Sequence, residues 1–477
     1  MNIKDYFNLD YNLEIEEIMM DSRDVIKNSI FFCVKGFKVD SHDFVNQAIE
    51  NGAICVVHSS PIKQQPGITY IKVDDTISTL NDFCTFFYDD CARKMRVYGV
   101  TGTNGKTSIS YILHNLVDKC GYCGTLGYSY GEEMNDLYLT TPSIKDLHSI
   151  FKKVYDNGCK SIAFEVSSQG LDLHRVDSVD FDTVIFTNLT HDHLDYHKTY
   201  ENYFQAKARL FEMTKPEGVA VINIDDQYGE RLIEKCKCKV VTYAIDKQAD
   251  YMAEDLQLHP SSSEFTLCHG GEKYHVVTNY IAKFNVYNLL AVIAAMHENG
   301  YQMGDIVGKL RNIPCVPGRC MTIDAGQDFH IIVDYAHTPD GIEKMLQYAN
   351  MVKKENGRVI VVFGLRGSGD EEKRPVSGKI ADEYCDEIYI TADDNHYEDI
   401  NSILDGIESG ITKHKAHRYE LRQDAIAAAI QQCQKDDILC ILSKGDEQFN
   451  KINGVKQPYE GDDRIAYRVL KEKMKTC

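Results

Sequence analysis

Two short stretches of this chain carry residue types that could do chemistry. In "NLTHDHLDYHK" (Asn188–Lys198), His191, His193 and His197 stand beside Asp192 and Asp195. Imidazoles and carboxylates so close together suit a transition-metal cluster, a general acid–base pair, or part of a site completed elsewhere in the chain. In "VYGVTGTNGKTS", an apolar strand runs into a glycine-rich turn, and Lys106 and Thr107 open a helix. That is the build of a phosphate cradle: glycines let backbone N–H groups approach oxyanions, and the helix N-terminus adds positive potential. Gly102, Thr103, Asn104, Gly105 and Ser108 would line the loop. Lys106 would reach the terminal phosphates, and the Thr107 hydroxyl would ligate Mg²⁺. The spacing departs from the strict phosphate-loop pattern. Val100 stands where the first glycine belongs, and glycines fall at 99 and 102 instead.

These residues need a scaffold, and the apolar runs predict one. "SIFFCVKG" and "GAICVV", with the helical pattern "HDFVNQAIENG" between them, read as a small α/β unit. From "RVYGVTGTNGKTS" onward, "SIAFEVSS", "DTVIFTNL", "GVAVINIDD" and "CKVVTYAI" read as buried strands with helices between several of them. Such alternation predicts a mostly parallel sheet covered on both faces. "NVYNLLAVIAAMHENG" reads as a strong helix. After "PGR", the runs "HIIVDYA", "RVIVVFG", "EIYITAD" and "DILCILS" predict four strands of a third, Rossmann-like unit. The expected domains are 1–92, 93–318 and 319–477 of the 477 residues.

A formal charge of −20 argues against non-specific nucleic-acid binding, which rests on neutralising phosphates. A small phosphorylated ligand in a local pocket remains compatible. No apolar run reaches the roughly 20 residues that span a bilayer. The acidic start "MNIKDYFNLDYNLEIEE" lacks a signal pattern, so a cytoplasmic protein is expected. The scattered cysteines suit reduced thiols. One CxxC, Cys120–Cys123, falls where a helix is expected to end at Gly121; Cys236 and Cys238 alternate like strand residues.

With these motifs in view, the sequence resembles the Mur ligases. "GVTGTNGKTS", "LTTPS", "EVSSQGLDLHRV", "FTNLTHDHLDYHKTYENYFQAKARLF", "FNVYNLLA", "VPGR" and "VDYAHTPD" follow in the family's order, and "DSRDVIKNSIFFCVKGFKVDSHDFVNQAIENGA" resembles its nucleotide-sugar domain. The pattern is most similar to members that add the third amino acid of the peptidoglycan stem. The resemblance implies that ATP phosphorylates a carboxylate of UDP-MurNAc-L-Ala-D-Glu and that an incoming amine attacks the acyl phosphate. It also implies a monomer whose three domains rotate to close.

The resemblance makes Lys106, Glu165, His193 and Lys207 the catalytic set. Thr107, Glu165, His193 and Lys207 become the metal group, with Lys207 carbamylated. Asn288 would contact adenine, and Arg319, Asp334 and His337 would reach the nucleotide from the linker and third domain. Ser22 and Arg23 would meet the uridine diphosphate. Thr140, Thr141, Ser143, Ser167 and Arg175 would meet the sugar–peptide, although serines and threonines at such places also serve as caps and turns.

The third domain departs from the family. Members that add meso-diaminopimelate carry Asp-Asn-Pro-Arg, and its arginine holds the distal carboxylate. Here the stretch is Asp393, Asp394, Asn395, His396, while "GKGHE" becomes "SKGDE" and "GGDRD" becomes "GSGDE". The expected amino-acid pocket is Asp394, Asn395, His396, Lys444, Asp446 and Glu447. A lost arginine and the added Asp446 shift it toward negative potential, which favours a distal ammonium and L-lysine first. Arg366, from another loop, could supply a carboxylate fork and reverse that preference. The alternative is a paralogue acting on another carboxylate in a specialised pathway.

Overall fold

The computed structural model describes residues 1–36, 39–391 and 393–476, apart from the Asp195 and Thr476 side chains. Among these residues, three α/β layers follow one another along the chain, with a small hairpin near the end. The first is a parallel sheet of Glu17–Met19, Ser29–Phe32, Ala53–His58 and Thr69–Lys72, in chain order. Helix Thr76–Phe87 begins at Asp75, whose carboxylate accepts from the Ile77 and Ser78 amides. It lays Leu80 and Phe83 against Ile30 and Phe32.

The second sheet has ten strands, and the phosphate-loop strand Arg96–Thr101 lies inside it. Its parallel neighbours are Ser161–Glu165 and Phe181–Phe186. Their carboxyl ends therefore deliver Thr101, Glu165 and Phe186 to one edge, where ligands bind in open α/β sheets. Helix Lys283–Glu298 covers one face and is apolar almost all round, as a fully covered helix must be. At the far end Tyr251–Leu258, Ser263–His269 and Glu272–Thr278 form an antiparallel meander. The helix after the phosphate loop, Lys106–Leu116, stops before the CxxC. Cys120–Gly124 is instead a buried strand paired with Ser161–Glu165, because a Cβ at Gly121 would stand 2.6 Å from Val154 and only glycine admits that approach. Cys236 and Cys238 precede, rather than belong to, strand Lys239–Ala244.

The third sheet runs Met321–Ile323, His330–Asp334, Ile438–Leu442, Val359–Phe363, Glu387–Ile390 and Ala416–Arg418. The first pairing is antiparallel and the others parallel. The two short edge strands were not among the four expected. Carboxyl ends of its inner strands lead to Asp334, Leu365–Arg366, Asp393–Asp394 and Ser443–Lys444 on one rim. No helix of the described residues is long and apolar enough to cross a membrane.

Candidate active site

The phosphate loop is built for close approach. Gly102 has φ 148° and Gly105 φ 91°. A Cβ on Gly102 would fall 1.7 Å from Thr187 Oγ1, and one on Gly105 2.5 Å from Asn288 Oδ1. The next strand end clamps the loop: Thr187 Oγ1 donates to the Asn104 carbonyl at 2.6 Å, and the Asn104 amide donates to Asn188 Oδ1 at 3.0 Å. Lys106 Nζ donates to the Gly102 and Thr103 carbonyls, both at 2.9 Å. Lys207, on helix Tyr200–Glu212, donates to the same Gly102 carbonyl at 2.8 Å from a fully buried position.

Burial holds the Lys207 amine well below the ordinary lysine value, and the Lys106 charge adds to this against the pull of Asp192. Burial lowers Lys106 as well, against Glu165 and Asp192. No carboxylate of the described residues pairs with Lys207 at ion-pair distance.

Glu165 is fully buried at its strand end. Its carboxylate accepts from Thr107 Oγ1 at 3.0 Å, Tyr122 Oη at 2.8 Å, and the Thr125 amide and hydroxyl at 2.8 and 3.1 Å. A Cβ at Gly124 would sit 2.2 Å from Glu165 Oε1, so glycine makes room for this acid. Tyr122 and Thr125 escaped the sequence reading; Tyr122 lies on strand Cys120–Gly124 beside Glu165 and Thr125 just past its end, which only the sheet order reveals. Oxygen donors predominate, which suits Mg²⁺.

His193 sits in a left-handed turn at φ 52°, half-exposed, with Nε2 3.5 Å from Asp192 Oδ2. Its pKa is lowered by burial and by the Lys106, Lys207 and Lys373 charges, against the pull of Asp192. Burial works to raise Asp192, yet His193, Lys373 and His337 together hold its carboxyl below the usual range. His197 is buried and bonds Ser168 Oγ at 2.9 Å, while His191 lies outward, 3.9 Å from Asp370. Among the described side chains, the three histidines do not converge on one point as a transition-metal cluster would require. The Asp195 side chain lies outside the described atoms.

Beside the loop, a cavity of about 440 Å³ runs between the central and third sheets. Asn104, Gly105, Ser108 and Asn288 line one wall, and Arg319 and Asp334 the other. Asn288 is oriented by a bond to Asn285 Oδ1 at 3.0 Å. Asp334 accepts from the Cys320 and Ala336 amides at 2.8 and 2.7 Å; burial raises its pKa against Arg319. His337 bonds the Tyr335 carbonyl at 2.9 Å, and burial lowers it to about 4. The third domain meets the phosphate loop through Asn104 Nδ2, which donates to Asp340 at 3.0 Å, and meets the histidine turn through Lys373 Nζ, which donates to Asp192 at 3.0 Å. Sequence reading had not singled out Lys373 or Asp340.

Around Glu165, Thr141 Oγ1 donates to the Glu165 carbonyl at 2.9 Å and to Ser167 Oγ at 3.0 Å, and Arg175 donates to the Thr141 carbonyl at 2.9 Å. Thr140 Oγ1 lies 3.3 Å from Thr125 Oγ1. Ser143 and Ser167 also cap helices. In the first domain, Ser22 Oγ donates to Gln47 at 2.8 Å and exposed Arg23 is folded onto Asp21.

On the third domain, Lys444 Nζ is buried among Asp393, Asp394 and Glu447 at 3.4, 2.9 and 3.2 Å. Its ammonium fills the position a metal would take among these acids. Three further residues of the expected pocket have neighbours outside this cluster. Asp446 faces the linker, where a Cβ on Gly318 would meet its Oδ1 at 2.4 Å and Arg319 acts on its charge. His396 is tied by its backbone to the hairpin of Phe449–Ile452 and Val455–Pro458, its amide donating to Lys451 O at 3.0 Å. Asn395 Nδ2 donates to the Glu398 carbonyl at 3.3 Å. Arg366 instead stands over the acids, 3.1 Å from Glu447 Oε1.

Family models match in the same chain order. "Mur ligase family, catalytic domain" covers residues 14–88, "Mur ligase middle domain" 100–296, and "Mur ligase, glutamate ligase domain" 318–445. A UDP-N-acetylmuramoyl-L-alanyl-D-glutamate–2,6-diaminopimelate ligase of Clostridium acetobutylicum is 37% identical over 469 residues, 97% of this chain and 96% of that one. The chain is a Mur ligase. The corresponding ligase of Bacillus cereus is 38% identical over 95% of this Mur ligase and 93% of its own length. A solved 2,6-diaminopimelate ligase superposes with TM-score 0.72 at 27% identity, covering 99% of each chain. A Thermotoga maritima MurF in complex with ADP shares the fold, with TM-score 0.65 at 17% identity, over 97% of this chain and 99% of that one. This Mur ligase is an ATP-dependent, ADP-forming ligase that works with Mg²⁺.

Proposed function

We propose that this Mur ligase joins 2,6-diaminopimelate to UDP-MurNAc-L-Ala-D-Glu in peptidoglycan precursor synthesis. The observation that carries the chemistry is the Thr107–Glu165 contact beside two lysines that share the Gly102 carbonyl. ATP lies with its phosphates on the loop and its base near Asn288. The γ-phosphoryl group passes to the substrate carboxylate, the amine attacks the acyl carbon, and phosphate leaves. Lys106 and Arg319 neutralise phosphate charge, and closure of the third domain excludes water. Bound Mg²⁺, held by Thr107, Glu165 and His193, would neutralise phosphate oxygens and orient them. Lys207 as a neutral amine adds CO₂ and loses a proton, giving a carbamate anion beside the metal group. Thr141, Ser167 and Arg175 face the sugar–peptide, and Ser22 and Arg23 the uridine diphosphate.

The preference for L-lysine rested on Asp446 and a missing arginine. Asp446 lies against Gly318 and Arg366 lies beside Glu447, which together with the relatives' named amino acid supports 2,6-diaminopimelate over lysine. The test is phosphate release with ATP, UDP-MurNAc-dipeptide and a panel of amino acids. Turnover with meso-diaminopimelate is expected; turnover with lysine alone would overturn the amino-acid assignment. The second reading, a different carboxylate acceptor, is favoured by Arg23 being folded onto Asp21. It would replace the first if no uridine nucleotide binds.

A further inference from the structure

The acid cluster on the third domain is not complete within the chain. The Asp393, Asp394 and Glu447 ligand atoms lie within 4.8 Å of one another. Lys444 is wholly buried among them, so its charge is already committed. Even so, Asp393 Oδ2 and Asp394 Oδ2 are buried with no hydrogen-bond partner among the described residues. Buried carboxylate oxygens without donors are costly, and a native structure normally supplies one. Three carboxylates against Lys444 and Arg366 leave one net negative charge.

Arg366 supplies the opposite demand. Its Nη2 donates to Tyr335 Oη at 2.7 Å and to Glu447 at 3.1 Å, and its Nε is 4.0 Å from Asp393 Oδ2. The side chain is 40% exposed, and its Nε and Nη1 hydrogens make no hydrogen bond to the described residues. A guanidinium with free donors at a pocket edge accepts a carboxylate in a fork. The loop expected to carry such an arginine has His396 in its place, with its backbone amide donating to the Lys451 carbonyl of the hairpin.

We propose that Arg366, with Asp393, Asp394 and Glu447, clamps the distal ammonium–carboxylate head of the incoming diamino acid. The arginine takes the carboxylate, and the unpartnered acid oxygens take the ammonium. The chain thus moves its selecting arginine from the loop after Glu387–Ile390 to the loop after Val359–Phe363. This rests on the amino-acid assignment above and adds the residues that enforce it.

The test compares wild type with Arg366→Ala and Arg366→Lys on meso-diaminopimelate and L-lysine, alongside calorimetric titration of meso-diaminopimelate into each protein with ATP-analogue present. Arg366→Ala should raise KM for meso-diaminopimelate by roughly 10- to 100-fold, leave KM for ATP unchanged, and erase the preference over lysine. Arg366→Lys, which keeps the charge and loses the fork, should not restore it. An unchanged KM for meso-diaminopimelate, or an equal rise for ATP, overturns the clamp. If the wild type turns over no amino acid, the acceptor assignment fails, and the titration judges the clamp. Binding that weakens in Arg366→Ala supports it; no binding to wild type overturns it.

Discussion

Gly102 is the tightest point of the phosphate loop, with Thr187 Oγ1 where its Cβ would stand. Gly102→Ala should raise KM for ATP roughly 10- to 100-fold, the equivalent of ~1–3 kcal/mol of backbone strain. An unchanged KM would place the phosphates elsewhere. Lys207→Ala should lower kcat at least ~100-fold, with partial recovery in added short carboxylic acids that restore an anion beside the metal group. Full activity without rescue would remove the carbamate. His148 acts on stability instead. It is buried, its Nε2 meets Ser178 Oγ at 2.8 Å, and burial lowers its pKa to about 4. The unfolded chain, with histidine near ~6.5, binds the proton more tightly. Stability is therefore full above pH ~6.5 and falls as pH drops toward 4, by up to ~1.4 kcal/mol per pH unit for this group. His148→Gln should flatten that slope in denaturant titrations across the window.

At the scale of elements, Arg422 and Asp462 fasten the last helix to the third sheet. Both are buried; the guanidinium meets the carboxylate at 2.8 and 2.6 Å and the Leu442 carbonyl at 2.6 Å. Breaking one side strands a buried charge, so Arg422→Met should destabilise the third domain by ~3–5 kcal/mol. Adding Asp462→Leu should recover much of that in the same urea experiment. The strands ending in Glu165, Phe186 and Asp334 were legible because each is a continuous apolar run, as strands covered on both faces are. Cys120–Gly124 was not, since its glycines and cysteines carry little strand preference. The meander of Tyr251–Thr278 hid behind exposed charges on one face. The site divides the same way. Lys106, Thr107, Glu165, His193 and Lys207 stand in contiguous motifs, whereas Tyr122, Thr125 and Lys373 reach it from other elements that only the topology brings together.

At the scale of the molecule, polar contacts join the third domain to the phosphate loop and its histidine turn, the shortest being Asn104 to Asp340 and Lys373 to Asp192. Lys373 and Asp192 are both largely sheltered from solvent. A double-mutant cycle on kcat/KM with Lys373→Met and Asp192→Asn should return a coupling of ~0.5–3 kcal/mol, because each substitution alone loosens the same closed arrangement. Strict additivity would mean that closure does not use this pair. Tyr335 has a wider consequence. The Arg319 guanidinium lies 4.6 Å from its ring centroid, and the tyrosine hydroxyl accepts from Arg366 Nη2 at 2.7 Å. Arg319 lines the nucleotide cavity, and Arg366 overlooks the acid cluster. For inhibitor chemistry, one tyrosine thus links the nucleotide cavity to the acid cluster. A compound built out of that cavity toward the cluster would carry a flat linker to stack on Tyr335.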